Sequence, residues 1–397
     1  MDDVTRKVRS MYELFPYPSR SRGTVADIHP YLMLAYPSGP PLAHPPTILD
    51  AGCGTGMAAL GTALCNPDAE VVAVDLNRAA LSRVREEARE LGIRNLEVRE
   101  VNLVTLEGLP VPEGGYDVIF SSGVLHHLPD PARGLRLLAG VLAPGGVLRV
   151  MVYNKFGRHS LYRFVEAMDR IEPDRDEPSR RLSTARRLMA ALRPGGPVTQ
   201  PPWEDALTVD DVEFVDRYLH PHDIGFTVAS FFELVERAGL SFLRWYEPRE
   251  WSLESVCADH ALCRDLGHLS PVAAYEVVER LGHRIRLDAL LCHPGVSLRP
   301  AVTREELLTR CVALSPQASL TVSRRVSGHS WYEFQPTISV RDGPAESLLP
   351  EAFRLLDRLG TRTAIVQELL LPGKEQQLQD VALELLRREV LYLPAGR

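Results

Sequence analysis

The chain has 397 residues, 45% of them hydrophobic and 24% charged, with a net charge of −7. That length exceeds one compact core and implies two or three domains, while the acidic balance argues against a molecule that holds polyanions by charge alone. The opening MDDVTRKVRS is charged where a secretory signal needs an apolar core, and no apolar run is long enough to cross a bilayer, so a cytoplasmic protein is expected.

Residues 3 to 15 read as a short helix ended by FPYPSR, because the position before a proline is driven out of the helical region. A proline-rich stretch from Pro37 to Pro46 leads into TILDAG. From there apolar, β-branched runs at Thr47–Ala51, Val71–Asp75, Leu96–Val101, Tyr116–Ser121 and Val147–Tyr153 predict strands. Helical patterns at Met57–Leu64, Arg78–Leu91 and Pro131–Leu142 separate most of them. This alternation predicts a parallel sheet with helices on both faces. Residues 154–226 break the rhythm. Their segment PSRRLSTARRLMAALRPGGP is basic and amphipathic, with apolar positions at Leu182, Ala185, Leu188, Met189 and Leu192. Ordinary helix packing is the plainer account of that stripe, and a surface over a substrate is the other. A helix at Val228–Ala238 and strands at Leu240–Tyr246 and near Arg284–Cys292 complete a seven-stranded sheet.

The chain beyond about residue 300 differs in character. TREELLTRCVAL predicts a helix, SLTVSRRV and WYEFQPTISV strands, PEAFRLLDRLG and VALELLRREV helices, and LYLP a last strand. The expected architecture is an α/β fold: a doubly wound, Rossmann-like, mostly parallel seven-stranded sheet, an inserted helical lid, and a small C-terminal α+β domain for which a winged helix is one reading. The expected division is a cover segment at 1–46, a central domain at 47–299 with the lid at 154–226, and an accessory domain at 300–397. Six cysteines (Cys53, Cys65, Cys257, Cys263, Cys292 and Cys311) form no C-x-x-C pair, which speaks against zinc and against a disulfide framework.

Chemistry concentrates at LDAGCGTG, where Gly52, Gly54 and Gly56 stand between the first strand and the next helix. That turn is where doubly wound sheets bind nucleotides, and N–H groups at the helix start favour an anionic group. A dinucleotide fingerprint would place its third glycine at position 57, which is Met57; here the spacing is D-x-G-x-G-x-G from Asp50 to Gly56. VVAVDLN ends the second strand on Asp75, about 20 residues further on, placed to accept hydrogen bonds from a ribose diol. REVNL ends the third strand on Asn102, which can bond the edge of an adenine. The runs YDVIFSSGVLHHLPDP and LAPGGVLRVMVYN supply the fourth and fifth strands.

With LDAGCGTG, Asp75, SSGVLHHLPDP and LAPGGVLRV in this order, the sequence resembles the class I S-adenosylmethionine-dependent methyltransferases. The resemblance is strong over about residues 45–153 and looser to 293. Upstream VRSMYELFPYPSR and downstream YLHPHDIGFTVASFFELVERAGL resemble segments of some bacterial members. Many members carry Asp where this chain has Asn102, whose carbonyl can still accept from the adenine amino group. The resemblance implies S-adenosyl-L-methionine as cofactor. Asp50 would position its ammonium, Asp75 its ribose, Leu76 and Leu103 would flank its adenine, and Tyr12 would cover it.

Methyl transfer from a sulfonium is mostly a matter of positioning, with a base where the nucleophile carries a proton. His126, His127 and Tyr153, at the ends of the fourth and fifth strands, are the candidate catalytic residues; the histidine pair alternatively only shapes its loop. Asn154 is a further candidate for substrate contact. His220, His222 and Asp223 have the look of a metal-ligand cluster, but lack a third certain ligand and read as a hydrogen-bonded loop, so no metal is expected. The leading expectation is methyl transfer to O or N of a small organic acceptor. A protein methyltransferase is the alternative, because the multi-domain layout with an extra C-terminal module resembles bacterial protein lysine methyltransferases ending in a winged helix. A nucleic-acid-binding regulator is the third, disfavoured because the tail is charge-balanced and not basic. The tail is expected to complete the pocket wall or to form a homodimer. No membrane or nucleic-acid partner is expected.

Overall fold

The computed structural model describes every residue except 1, 27, 30–31, 37–38, 42–44, 176–177, 194, 197, 200–202, 299–301, 327–331, 341–344 and 395–397. The chain forms two compact units, residues 1–26 with 47–295 and residues 27–46 with 296–397. The segment expected as one cover over 1–46 is therefore divided between them. The boundary expected at 299/300 lies outside the described residues.

The first unit is built on β1 (Thr47–Ala51), β2 (Glu70–Asp75), β3 (Leu96–Glu100), β4 (Tyr116–Ser122), β5 (Leu142–Tyr153), β6 (Ser241–Trp245) and β7 (Arg286–Cys292), in the order β3-β2-β1-β4-β5-β7-β6. β7 runs antiparallel to both neighbours, and the other pairings are parallel. The order reverses at β1/β4, which opens a crevice at the carboxyl ends of the strands. In-register pairing of Asp50 with Ala73 and of Ala51 with Val74 brings the ends of β1 and β2, and so Asp50 and Asp75, to that crevice.

Helices flank both faces because each has one apolar stripe and a satisfied start. Asn77 accepts from Ala79 and Ala80 N–H to begin helix Arg78–Glu90, Asp130 caps Pro131–Ala139, and Thr227 with Ser230 forms a reciprocal capping pair at Val228–Arg237. One face of the sheet carries the main core, including Leu49, Ile119, Leu148, Phe231 and Trp245. On the other, Leu60, Val84 and Ala88 pack together with Val25.

The insert holds helices His159–Ile171, Pro178–Ala191 and Asp211–Tyr218 around their own core of Leu161, Phe164, Met168, Leu182, Ala185, Met189, Phe214 and Tyr218. Met11 of the N-terminal helix Asp3–Leu14 is buried in that same core. The apolar stripe read from the sequence thus serves helix packing, with Leu188 and Leu192 half-buried at its margin.

In the second unit Leu32, Ala35 and Tyr36 are buried together, and the Tyr36 hydroxyl lies 3.0 Å from Ser315 Oγ. Helices Arg304–Thr309, Pro350–Leu359 and Glu375–Arg387 pack with two three-stranded sheets. The helix expected over TREELLTRCVAL stops at Thr309. Cys311–Leu314 is a strand that pairs with Ala364–Ile365 and Leu391–Tyr392, so pairing across the unit overrides local helix preference. The winged-helix reading rests on sequence alone, and the strand order adds nothing to it.

Candidate active site

All three glycines of the first turn have left-handed backbones, with φ of 94° at Gly52, 52° at Gly54 and 84° at Gly56. A Cβ at Gly52 would lie 2.4 Å from Val124 Cγ2, one at Gly54 2.4 Å from the Tyr17 carbonyl oxygen, and one at Gly56 2.5 Å from Val84 Cγ2. Protein atoms therefore come close enough to this turn to demand glycine. The FPYPSR segment docks directly on it. Thr55 N–H donates to Tyr17 O at 3.0 Å, and the Thr55 hydroxyl donates to Pro18 O at 2.8 Å.

Between this turn, the strand ends and the N-terminal helix lies a cavity of ≈ 440 Å³. Asp50, Gly52, Gly54, Asp75, Leu76, Leu103, Tyr12, His127 and Tyr153 line it. Gly56, Asn102 and His126 are not among the lining residues. Gly56 starts the helix Met57–Cys65. The Asn102 side-chain oxygen accepts Val104 N–H at 2.9 Å and holds the turn after β3. His126 is fully buried behind His127, with ring centroids 4.1 Å apart.

The cavity volume is of the size that takes a nucleoside-bearing cofactor. Asp75 accepts Gly54 N–H at 2.9 Å through Oδ2 and Asn77 N–H at 2.8 Å through Oδ1, which fixes the carboxylate with lone pairs to spare. Burial raises its pKa against these hydrogen bonds. Asp50 is buried, and its Oδ2 has no hydrogen-bond partner among the described residues. Burial, and then the charge of Asp75, push its pKa up to about 7. An orphaned carboxylate oxygen at the cavity floor fits an ammonium group such as the one S-adenosylmethionine carries.

A polar cluster lies behind the other end. The Tyr12 hydroxyl donates to Asp216 Oδ1 at 2.9 Å, and Asn77 Nδ2 donates to the Tyr12 carbonyl at 2.6 Å, so the N-terminal helix is tied to both the sheet and the insert. Burial pushes Asp216 up to about 7 and Asp223 up to about 6. The Arg158 guanidinium stacks 3.6 Å from the Tyr153 ring centroid and lies 3.7 Å from Asp223 Oδ2. His127 Nδ1 meets the His222 carbonyl at 2.9 Å, and its ring stacks on His220 at 3.6 Å. Burial lowers the His127 pKa to about 3 and that of His126 well below its ordinary value, so both imidazoles are neutral. Neither nitrogen of His126 has a hydrogen-bond partner among the described residues. Each such orphan costs about 1–3 kcal/mol where no partner is supplied. Asn154 is spent on structure: Oδ1 accepts Phe156 and Gly157 N–H, and Nδ2 donates to buried Glu279 at 2.7 Å.

Sequence reasoning missed Arg158, Asp216 and Arg286. Arg286 lines the cavity from β7, and the other two reach the cluster from the insert. None stands in a motif, and only tertiary packing brings them in. The tyrosines of MYELFPYPSR were the one available signal for the cover: Tyr17 lines the cavity beside Tyr12.

Residues 46–172 match a family described as a methyltransferase domain. An uncharacterised protein of Synechococcus sp. is 30% identical over 296 residues, 72% of this chain and 70% of that one. The ubiquinone biosynthesis O-methyltransferase of Marinobacter nauticus is 34% identical over 119 residues, 30% of this chain and 49% of its own length. Among solved structures, PKMT2 from Rickettsia typhi in complex with AdoHcy aligns with a TM-score of 0.67 at 16% identity, covering 95% of this chain and 77% of that one.

Proposed function

The chain belongs to the class I S-adenosylmethionine-dependent methyltransferases, and from that premise we propose that its acceptor is a side-chain nitrogen of a protein. One observation carries this reading. The likeness to PKMT2 covers 95% of the chain and so includes both units, whereas the ubiquinone biosynthesis enzyme matches only 30% of the chain. Cofactor binding is the business of the shared sheet, so acceptor choice resides in what is added to it. The reading departs from the small-molecule acceptor that the sequence alone favoured.

The chemistry at the cavity end suits an amine. Tyr12, Tyr17 and Tyr153 present aromatic surface that accepts a cationic side chain. Asp216 lies behind Tyr12 and titrates at about 7. Through the Tyr12 hydroxyl that donates to it, Asp216 can take up the proton that an ammonium must lose before its lone pair attacks the methyl. The sulfonium supplies the reactive methyl. Asp50 and Asp75 would hold the cofactor's ammonium and ribose, Leu76 and Leu103 would flank its base, and the neutral His127 with Tyr153 would shape the approach in line with the methyl. The small-molecule reading keeps one specific support, the 34–35% identity of the core to a ubiquinone biosynthesis O-methyltransferase and a trans-aconitate 2-methyltransferase.

Incubating the full chain with methyl-labelled S-adenosylmethionine and a fractionated cell extract tests the proposal. Label is expected in the protein fraction, on a lysine-type nitrogen by mass spectrometry. Label confined to the small-molecule fraction would overturn it.

A further inference from the structure

We propose that His126, His127 and Asp223 bind a divalent transition metal of the zinc class beside the cofactor cavity. One ligand atom from each of the three lies within 4.8 Å of the others, two from the turn after β4 and one from the loop after the insert helix Asp211–Tyr218. Two imidazoles and one carboxylate form a donor set that suits zinc-class ions and leaves a coordination position free.

Three features of the cluster point to a ligand and not merely to packing. His126 is fully buried with both ring nitrogens unpartnered among the described residues, so a neutral imidazole there keeps an unused lone pair. His127 Nδ1 is 2.9 Å from the His222 carbonyl, a contact that fixes this nitrogen as the N–H and turns the Nε2 lone pair free. This is the outer-shell hydrogen bond that orients metal-binding histidines. His222 is in turn held by a contact of its Nε2 with the Leu128 carbonyl at 3.2 Å. Asp223 has two oxygens. Oδ2 faces Arg158 at 3.7 Å and Oδ1 accepts from the Tyr162 hydroxyl at 3.4 Å; both contacts are long enough to leave the carboxylate acceptor capacity.

Arg158 faces the cluster, 3.7 Å from Asp223 Oδ2. The set differs from the one adjacency in sequence suggests. His220 is stacked on His127 and accepts His222 N–H through Nδ1, while His222 points to Leu128, so of the YLHPHDIGF segment only Asp223 joins the ligands. His127 lines the cavity, so the free coordination position adjoins the end where an acceptor arrives. The charge of a dication there would favour the neutral form of an amine lying nearby but not coordinated, and its free position would hold an acceptor oxygen. The proposal therefore stands whichever acceptor class is right.

The test uses the full chain purified without a histidine tag. Metal content is measured by elemental mass spectrometry, and the chelator-treated protein is titrated with Zn²⁺ and with Co²⁺. Expected are one tight Zn²⁺ per chain and visible d–d bands with Co²⁺. His126→Gln and Asp223→Asn should each weaken Zn²⁺ binding by at least about tenfold. Replacing the exposed His268 (H268A) should not. Circular dichroism and thermal melts without metal establish that the variants fold. If a variant does not fold, the Co²⁺ spectrum of the unaltered chain still decides, since imidazole and carboxylate ligation gives bands that a surface site of water and carboxylate does not match in intensity. Absence of stoichiometric Zn²⁺ binding, or affinity unchanged in both folded variants, would overturn the proposal and leave an adventitious or water-filled cluster.

Discussion

Asp50 sits under the cavity floor as a carboxylate that burial and Asp75 hold at about 7, against its ordinary 3.8. Because the folded pKa is the higher one, this group contributes stability fully below about pH 4. That contribution is lost as pH rises through about 7. Cofactor binding responds in the opposite sense, since an ammonium requires the ionised carboxylate. The dissociation constant for S-adenosylmethionine should therefore tighten about tenfold from pH 6 to pH 8, and Asp50→Asn should flatten that profile. Calorimetry across the range checks both, and a flat profile in the unaltered chain would remove Asp50 from the ammonium's site. Asp75 has a different role because Gly54 and Asn77 already hold both of its oxygens. Asp75→Ala should weaken cofactor binding by about 1.5–3 kcal/mol, the worth of hydrogen bonds to a charged group. Unchanged affinity in a folded variant would place the ribose elsewhere. Asp50 and Asp75 were legible in the sequence because strand ends and glycine spacing fix where they point. Asn102 had the same positional signal, yet its side-chain oxygen closes a local turn, a use the spacing does not distinguish from ligand binding.

Among the elements, the N-terminal helix and the insert act together. Met11 is buried in the insert's core, and the Tyr12 hydroxyl bonds Asp216 on the insert helix Asp211–Tyr218. The N-terminal helix, proposed to cover the cofactor, is thus held by the same helices that were expected to serve as a lid over the acceptor. Leu188→Asp, at the half-buried margin of helix Pro178–Ala191, should abolish acceptor turnover. It should also weaken cofactor binding, by about tenfold or ~1.4 kcal/mol, because the cover loses its support. Measuring both constants on one folded variant checks this, and full cofactor affinity would show that the helix Asp3–Leu14 is held without the insert. Most strands and flanking helices were readable to within a few residues because period-2 and period-3.6 patterns are local. The helix expected over Pro131–Leu142, however, ends at Ala139, and β5 begins at Leu142, five residues before the expected Val147. The joint core of Met11 with Leu182 and Phe214 was not readable, because no local pattern tells a helix which partner its apolar stripe will meet. The half-helix, half-strand outcome of TREELLTRCVAL has the same cause, since Cys311–Leu314 is decided by strands more than 45 residues away.

At the scale of the whole molecule, residues 27–46 decide how the chain can be divided. They leave the first unit after Ala26, contribute Leu32, Ala35 and Tyr36 to the second, and return at Thr47 to begin β1. A fully buried leucine is worth about 1.5–3 kcal/mol, and Leu32, Ala35 and Tyr36 are buried in one cluster with Tyr392 of the 296–397 segment. A chain ended at Gly295 would keep the sheet and the cofactor residues but expose Leu32, Ala35 and Tyr36, all buried in the full chain. Such a protein should aggregate, since an apolar patch is left with nothing to cover it. Removing residues 27–46 as well, with a flexible linker of about ten residues between Ala26 and Thr47, removes the patch. That two-piece deletion should be monomeric by light scattering and should bind S-adenosylmethionine within about threefold of the full chain, because every residue assigned to the cofactor lies in the first unit. If acceptor choice resides in the second unit and not in the insert, the deletion should no longer label protein in a cell extract. Retained protein labelling by a soluble, cofactor-binding deletion would assign acceptor recognition to the insert alone and leave the second unit another role.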